Sequence, residues 1–229
     1  MKLSILIPVY NEKKTILDLL ELVGNVEIDK EIVLVDDCSD DGTTQILKEN
    51  FGNEKGEIRV FYHETNKGKG AAIRTALSHA AGDYVIVQDA DLEYSPHDMV
   101  EMAATAERSG VEAVYGSRFL ATWKTTSFVH YAINSFLTRL TNVLFGGHLT
   151  DMETCYKMIR TDIMKSLEIK ANRFEFEPEV TAKLLIKGIK IVEVPVSYRG
   201  RSYDEGKKIG WRDGLEAIST LFRIKFNRY

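Results

Sequence analysis

The sequence is poor in the residues that build special scaffolds, with 2 cysteines and 4 prolines among 229 residues. Two thiols, Cys38 and Cys155, cannot staple a small disulfide fold, and no Cys-x-x-Cys pair exists to hold zinc. No window approaches ~18 unbroken apolar residues, so no segment reads as a bilayer span. The opening MKLSILIPVYNE has too short an apolar run for a secretory signal before polar residues begin. Charge of one sign is not in excess either: 30 Lys and Arg against 34 Asp and Glu give a net charge of -4. That balance excludes the bulk basicity of a nucleic-acid-binding protein. Repeats, low-complexity tracts and linkers are also missing, which argues against solenoids and disordered chains. What remains is 44% hydrophobic and 28% charged, the composition of an ordinary globular domain. We expect one domain spanning residues 1–229 in a reducing, cytoplasmic compartment. The stretch from Arg199 to Arg228 is locally rich in Lys and Arg, which suits phosphates or an anionic membrane surface.

Short apolar runs alternate with helical spacing along the first half. Leu3–Tyr10 reads as a buried strand, Thr15–Val23 as a helix with Ile16, Leu19, Leu20 and Val23 on one face, and Glu31–Val35 as a second strand. Thr43–Phe51 (helix), Ile58–His63 (strand), Lys69–Ala81 (helix) and Tyr84–Gln88 (strand) continue the pattern. Such alternation predicts a mostly parallel α/β sheet with helices on both faces, joined by right-handed crossovers. Ligands of such sheets bind beyond the carboxyl ends of the strands. The second half is less regular. Helices are expected over Pro96–Ser109, Phe128–Phe145, Glu179–Lys187 and Trp211–Phe226, and strands over Ala113–Gly116 and Ile189–Tyr198.

Three polar clusters fall at strand exits: Tyr10-Asn11-Glu12, Asp36-Asp37 and Asp89-Ala90-Asp91. On one sheet edge they make one site. Two carboxylates separated by a single residue repel unless a cation or proton neutralises them. Mg2+ or Mn2+ takes hard oxygen ligands and bridges to phosphate oxygens, so Asp89, Asp91 and the following Glu93 are candidate ligands for a metal-bound diphosphate. Asp37 can accept from a base N–H or a ribose hydroxyl, whereas Asp40 and Thr43 read as turn and cap residues. Gly68-Lys69-Gly70 starts a G-x-G-x-x-G-like string that fails at Ile73, and no P-loop is present. His63, His79, His97, His130 and His148 lack close metal-ligand spacing.

The segments IPVYNE, LVDDCSDDGT, NKGKGAAIRTAL and VQDADLEYSP together resemble the inverting family 2 glycosyltransferases of the GT-A fold, within them most closely the dolichol-phosphate mannose and glucose synthase branch. The resemblance runs over nearly the whole chain. It implies a nucleotide-sugar-binding half, 1–120, and an acceptor-binding half, 121–229. Pro8, Tyr10, Glu12, Val35 and Asp37 would line the pocket for base and ribose, with Lys69 and Ala90 also on the donor side. Asp89, Asp91 and Glu93 would hold the metal and the donor diphosphate. Gly116-Ser117-Arg118 resembles the branch's G-S-R signature, whose Arg lies near the donor sugar or the acceptor phosphate. The segment from Arg201 to Lys207 resembles its R-x-x-x-x-S-K string, with Gly206 in place of Ser, and implies that Arg201 and Lys207 clamp phosphates.

The implied reaction moves mannose or glucose from GDP-mannose or UDP-glucose to a polyprenyl phosphate, dolichyl or undecaprenyl. Asp151, in LTDMETCYK, matches the region facing the acceptor. A sugar-hydroxyl acceptor needs a base there, and Asp151 is the candidate; a polyprenyl phosphate is already ionised, and Asp151 would then orient the sugar or an arginine. The branch usually carries an Arg and Ser pair on the helix beyond G-S-R, and here His130 falls near the Arg position. Some relatives add transmembrane helices, so a lipid acceptor implies peripheral contact at the cytoplasmic membrane face, with Phe128–Phe145 and Trp211–Phe226 as the helices that either lie in the interface or pack into the core. A non-catalytic nucleotide-binding regulator of the phosphorylation-receiver kind is a remote alternative, because there the acidic pair follows the first strand and here it follows the second.

Overall fold

The structure is a computed structural model that describes residues 1–51, 57–121, 128–200 and 210–227. Four strands and three helices alternate through the first half. They are β1 (Leu3–Val9), α1 (Ile16–Gly24), β2 (Lys30–Asp36), α2 (Thr43–Phe51), β3 (Ile58–Tyr62), α3 (Lys69–His79) and β4 (Tyr84–Val87). The expected α1 face is the one that is buried: Ile16, Leu19 and Val23 are fully inaccessible and Leu20 nearly so. Each such side chain contributes about 1.5–3 kcal/mol on leaving water. β1 and β2 are buried along almost their whole length, because parallel strands are covered on both faces.

The second half comprises α4 (Asp98–Ser109), β5 (Ala113–Ser117), α5 (Arg118–Ala121), α6 (Phe128–Phe145), β6 (Lys157–Arg160), α7 (Thr161–Ser166), α8 (Phe176–Ile186), β7 (Ile191–Pro195) and α9 (Trp211–Lys225). The strands form one sheet in the order β3-β2-β1-β4-β6-β5-β7. β1 is parallel to β2 and β4, β2 to β3, and β5 to β7. β6 runs antiparallel to both β4 and β5. The sequence reading has no strand at β6, which is only four residues long and opens and closes on charged residues. Its place between β4 and β5 is what joins the two halves into one sheet.

Successive crossovers leave β1 toward β2 on one side and find β4 on the other, so the carboxyl ends of β1, β2 and β4 border the point where strand order reverses. Such a reversal opens a crevice. Two glycines let the second half close on that crevice. Gly68 has φ 96° and a Cβ there would meet Asn172 O at 2.3 Å, while a Cβ on Gly70 would meet Ala171 O at 2.6 Å. α3 therefore starts in direct contact with the 171–172 backbone, where Ala71 N–H donates to Asn172 O.

Candidate active site

The loops leaving β1, β2 and β4 each contain one non-glycine residue in the left-handed region: Asn11 (φ 52°), Cys38 (φ 63°) and Leu92 (φ 60°). Asn tolerates this conformation, but for Leu it is strained and must be held by its surroundings. The first two loops are knitted together: Asn11 N–H donates to Ser39 Oγ at 2.9 Å, and Asp40 N–H donates to Asn11 Oδ1 at 2.9 Å. Between the three loops lies a pocket of about 530 Å3, within the range of small-molecule sites.

Asp37 anchors the wall beside β2. Its Oδ1 accepts from Lys67 N–H (2.9 Å) and sits 2.6 Å from His63 Nδ1, and its Oδ2 accepts from Gly68 N–H (2.7 Å). This carboxylate thus shapes the turn that starts α3 while facing the pocket. Asp36 is turned away and holds Ser39 and Thr44. His63, which has no metal-ligand spacing to other histidines, is nearly buried between Asp37 and Thr75. Glu12 closes the β1 side: Thr15 Oγ1 lies 2.8 Å from Glu12 Oε2 and 2.7 Å from Ala90 O, tying the first loop to the third.

The β4 exit carries the acids. Lys69 Nζ lies 2.8 Å from Asp89 Oδ1 and 2.9 Å from Glu177 Oε1, bridging the two halves across the pocket. Burial alone would pull this ammonium down, but the Asp89 and Glu177 carboxylates overrule it and hold it well above its ordinary value. Asp91 Oδ1 accepts from Glu93 N–H at 3.1 Å, and Glu93 Oε2 accepts from Tyr198 O–H at 2.8 Å. Among the described residues no cluster of three His, Cys, Asp or Glu side chains forms a ready-made cage. Magnesium-type ions bound with phosphates need only one or two carboxylates from the protein. Asp89 and Asp91, both on the pocket wall, meet that requirement, and Lys69 already neutralises the pair in part.

The opposite wall comes from the second half. Arg118 donates through Nε to Asp151 Oδ2 and through Nη2 to Asp151 Oδ1, each at 2.7 Å, and its own backbone N–H also donates to Oδ2 at 3.0 Å. Burial works against the charged guanidinium, yet Asp151 overcomes it and raises Arg118 well above its ordinary value. The Arg118 side chain faces the pocket and lies 5.1 Å from the Tyr198 ring. Asp151 is fully buried and lies behind it, both oxygens engaged, in the position of a residue that orients an arginine. Two residues on, Glu153 reaches the pocket wall.

Most of the expected residues converge here. Pro8, Tyr10, Glu12, Asp37, Lys69, Asp89, Ala90, Asp91, Glu93 and Arg118 all line the pocket. Val35 is inside the sheet core with no exposure, and Asp151 is set back from the wall. Arg201 and Lys207 lie outside the described residues. Sequence reasoning missed Asn66, Asn134, Glu153, Arg173, Phe174 and Tyr198, which complete the wall. His130 lines it as well, and the helical i, i+4 spacing of His130 and Asn134 is the one signal that could have paired them.

A sheet with its ligand crevice at the switch point, rimmed by acids on one side and an arginine on the other, is the architecture of a nucleotide-binding α/β transferase. The sequence model of Glycosyl transferase family 2 matches residues 4–167, and the chain belongs to that family of glycosyltransferases. It is 28% identical over 98% of its length to a dolichol-phosphate mannosyltransferase of Pyrococcus furiosus, of which it spans 64%. It is 30% identical over 90% of its length to an undecaprenyl-phosphate 4-deoxy-4-formamido-L-arabinose transferase of Proteus mirabilis, of which it spans 62%. The chain thus spans somewhat less than two thirds of these relatives. Among solved structures, glucosyl-3-phosphoglycerate synthase of Mycobacterium tuberculosis, crystallised with Mn2+, UDP and phosphoglyceric acid, superposes with a TM-score of 0.74 at 20% identity. The match covers 98% of this chain and 78% of that one, and it establishes the GT-A fold.

Proposed function

We propose that the protein transfers a hexose, mannose or glucose, from a nucleotide-sugar donor to a polyprenyl phosphate. The observation that carries this reading is the placement of Asp91 and of Asp89, paired with Lys69, on one wall of a single pocket and of Arg118 on the other. Base and ribose would lie by Pro8, Tyr10, Glu12 and Asp37. Asp89 and Asp91, with Glu93 beside them, would hold Mg2+ or Mn2+, whose charge offsets that gained by the departing diphosphate. Lys69 is placed to turn from Asp89 to the same phosphates.

The acceptor oxygen attacks the anomeric carbon from the face opposite the diphosphate, and the C–O bond breaks with its electron pair on the diphosphate. Arg118, pre-set by Asp151, offers a fixed guanidinium to an anion at no reorganisation cost in the reaction. The names of the two sequence relatives support a polyprenyl phosphate as the acceptor. The family's usual lipid-phosphate Arg is absent at His130, and Arg118, His130, Asn134 and Arg173 are the wall residues able to replace it.

No described helix is long and apolar enough to cross a bilayer, and the part of this domain that would face a lipid acceptor is the surface of α6 and α9. α6 and α9 pack their inner faces together through Leu137, Ala217 and Ile218 and leave Phe136, Val143, Leu215, Phe222 and Phe226 exposed. Incubation with labelled GDP-mannose or UDP-glucose, Mn2+ and undecaprenyl phosphate tests the reading. We expect sugar label in the organic phase with one donor; label confined to water-soluble products with both would refute the acceptor.

A further inference from the structure

Glu153 is the one acid lining the pocket to which the mechanism above gives no work. Every neighbour on its loop is committed. Asp151 holds Arg118, Thr154 O–H donates to Gly116 O at 2.6 Å, Cys155 N–H donates to Tyr94 Oη at 3.2 Å, and Lys157 Nζ donates to Met152 O at 2.8 Å. Glu153 Oε1 is buried without a hydrogen-bond partner, a condition shared among the described residues only by Thr220 Oγ1, and of the two only Glu153 lines the pocket. An unmade hydrogen bond to a buried polar atom costs about 1–3 kcal/mol, more for a charge. A group left in that condition on a pocket wall is one whose partner is the ligand.

The chemistry of that partner follows from the charge around Glu153. Burial acts first, and the α8 carboxylate of Glu177 adds to it; Lys157 on β6 and Arg118 on α5 oppose them, and Asp151 assists. The balance raises the carboxyl to about 7. A phosphate arriving beside it raises it further, because each added negative charge favours the neutral acid. A neutral carboxyl has one O–H to donate, and a phosphate oxygen is a strong acceptor.

We propose that Glu153 carries a proton in the acceptor complex and donates it in a hydrogen bond to the acceptor's phosphate, which selects phosphomonoesters. This rests on the polyprenyl-phosphate reading above. A phosphomonoester has its second ionisation near ~6, so acceptor and Glu153 share one proton between groups of similar strength. If the acceptor arrives as the monoanion, its O–H bond breaks and the proton moves to a Glu153 oxygen. If it arrives as the dianion, the Glu153 carboxylate takes up one proton from the buffer acid, whose conjugate base stays in solution. Both routes end in the same complex, with a dianionic phosphate free to attack and no other reactant consumed.

The test uses the full chain with Mn2+, donor nucleotide and farnesyl phosphate as a soluble acceptor probe, in wild type, Glu153→Gln and Glu153→Asp. Affinity is measured by calorimetry from pH 6.5 to 9 in two buffers of different ionisation heat. Because His130 and Lys69 share the wall, the contribution of Glu153 is read as the difference from Glu153→Gln, whose amide keeps a donor. Wild type should take up close to one proton on binding above pH 7 and lose affinity about tenfold per pH unit beyond the protonation range. Glu153→Gln should take up none and bind with the weaker pH dependence of the remaining wall. Glu153→Asp should restore the proton uptake.

Three results would overturn the proposal. One is the same proton uptake in Glu153→Gln as in wild type. Another is a hundredfold fall in kcat for Glu153→Gln with binding intact, which would make Glu153 a base for a hydroxyl acceptor. The third is a 13C NMR titration placing the Glu153 carboxyl near the ordinary ~4.3 while farnesyl phosphate still accepts sugar. Failure of farnesyl phosphate to bind wild type would instead remove the acceptor reading, and this proposal with it.

Discussion

The two halves of the pocket are built on different principles. On the β1–β4 side, acids project from loops at the ends of buried parallel strands, and each loop is locked by backbone donors: Asp37 by Lys67 and Gly68, Asp91 by Glu93. On the far side, the wall hangs from the short antiparallel β6 and from helices, and charge is held by charge: Asp151 holds Arg118, and Glu177 reaches across the pocket to hold Lys69 of the first half. Charge-held cations are set by the exact complement of partners, and there one substitution changes what the site accepts.

The comparison is broken most severely from the first half. Asp91→Ala should lower turnover on the order of a hundredfold or more, the scale of losing one electrostatic stabiliser, with the fold intact by circular dichroism. Near-normal turnover would deny the acids their role. On the far side the expected loss is of stability. Asp151→Ala strands the buried Arg118 guanidinium and should cost about 3–5 kcal/mol in denaturant unfolding, whereas an Asp151 that acted only as a base would leave stability unchanged.

The seam between the halves gives a smaller effect. Gly68→Ala forces a Cβ against Asn172 O in a left-handed backbone, and about 1–3 kcal/mol of destabilisation is expected. Donor affinity should fall with it, because Asp37 and Lys69 flank the same turn; chemical unfolding and calorimetry read the two.

The mildest break is in pH dependence. The Glu153 carboxyl sits higher folded than unfolded, so the native state binds the extra proton between about pH 4.3 and its raised value of about 7, and stability drains away as pH rises through that window. Glu153→Gln should therefore raise the melting temperature by a few degrees at pH 8 and hardly at all at pH 4. An equal gain at both would mean that packing, not ionisation, is responsible.

The same contrast governed what the sequence could tell. Parallel strands buried on both faces announce themselves as apolar runs, so β1, β2 and β4 and the acids at their exits were readable, including Asp89 and Asp91 on one edge. The partners of those acids were not: Gly68 N–H reaches Asp37 from 31 positions along the chain. β6 escaped because a four-residue strand has too little alternation to show, and because Lys157, its first residue, is fully buried against expectation for its type. Nothing in LTDMETCYK marks Glu153 apart from Asp151; its burial without a partner, near Glu177 of α8, appears only in the fold. Val35 was named for the pocket from the family resemblance, but its side chain points into the sheet core.

The central claim is that the crevice where strand order reverses holds the donor's diphosphate against Asp89 and Asp91. A crystal grown with Mn2+ and the donor that supports turnover tests it directly, because manganese is located by its anomalous signal. The ion and the diphosphate should lie in this pocket in contact with Asp91, with Lys69 drawn from Asp89 toward phosphate oxygen; an ion and a nucleotide bound elsewhere, with the Lys69–Asp89 pair undisturbed, would contradict it.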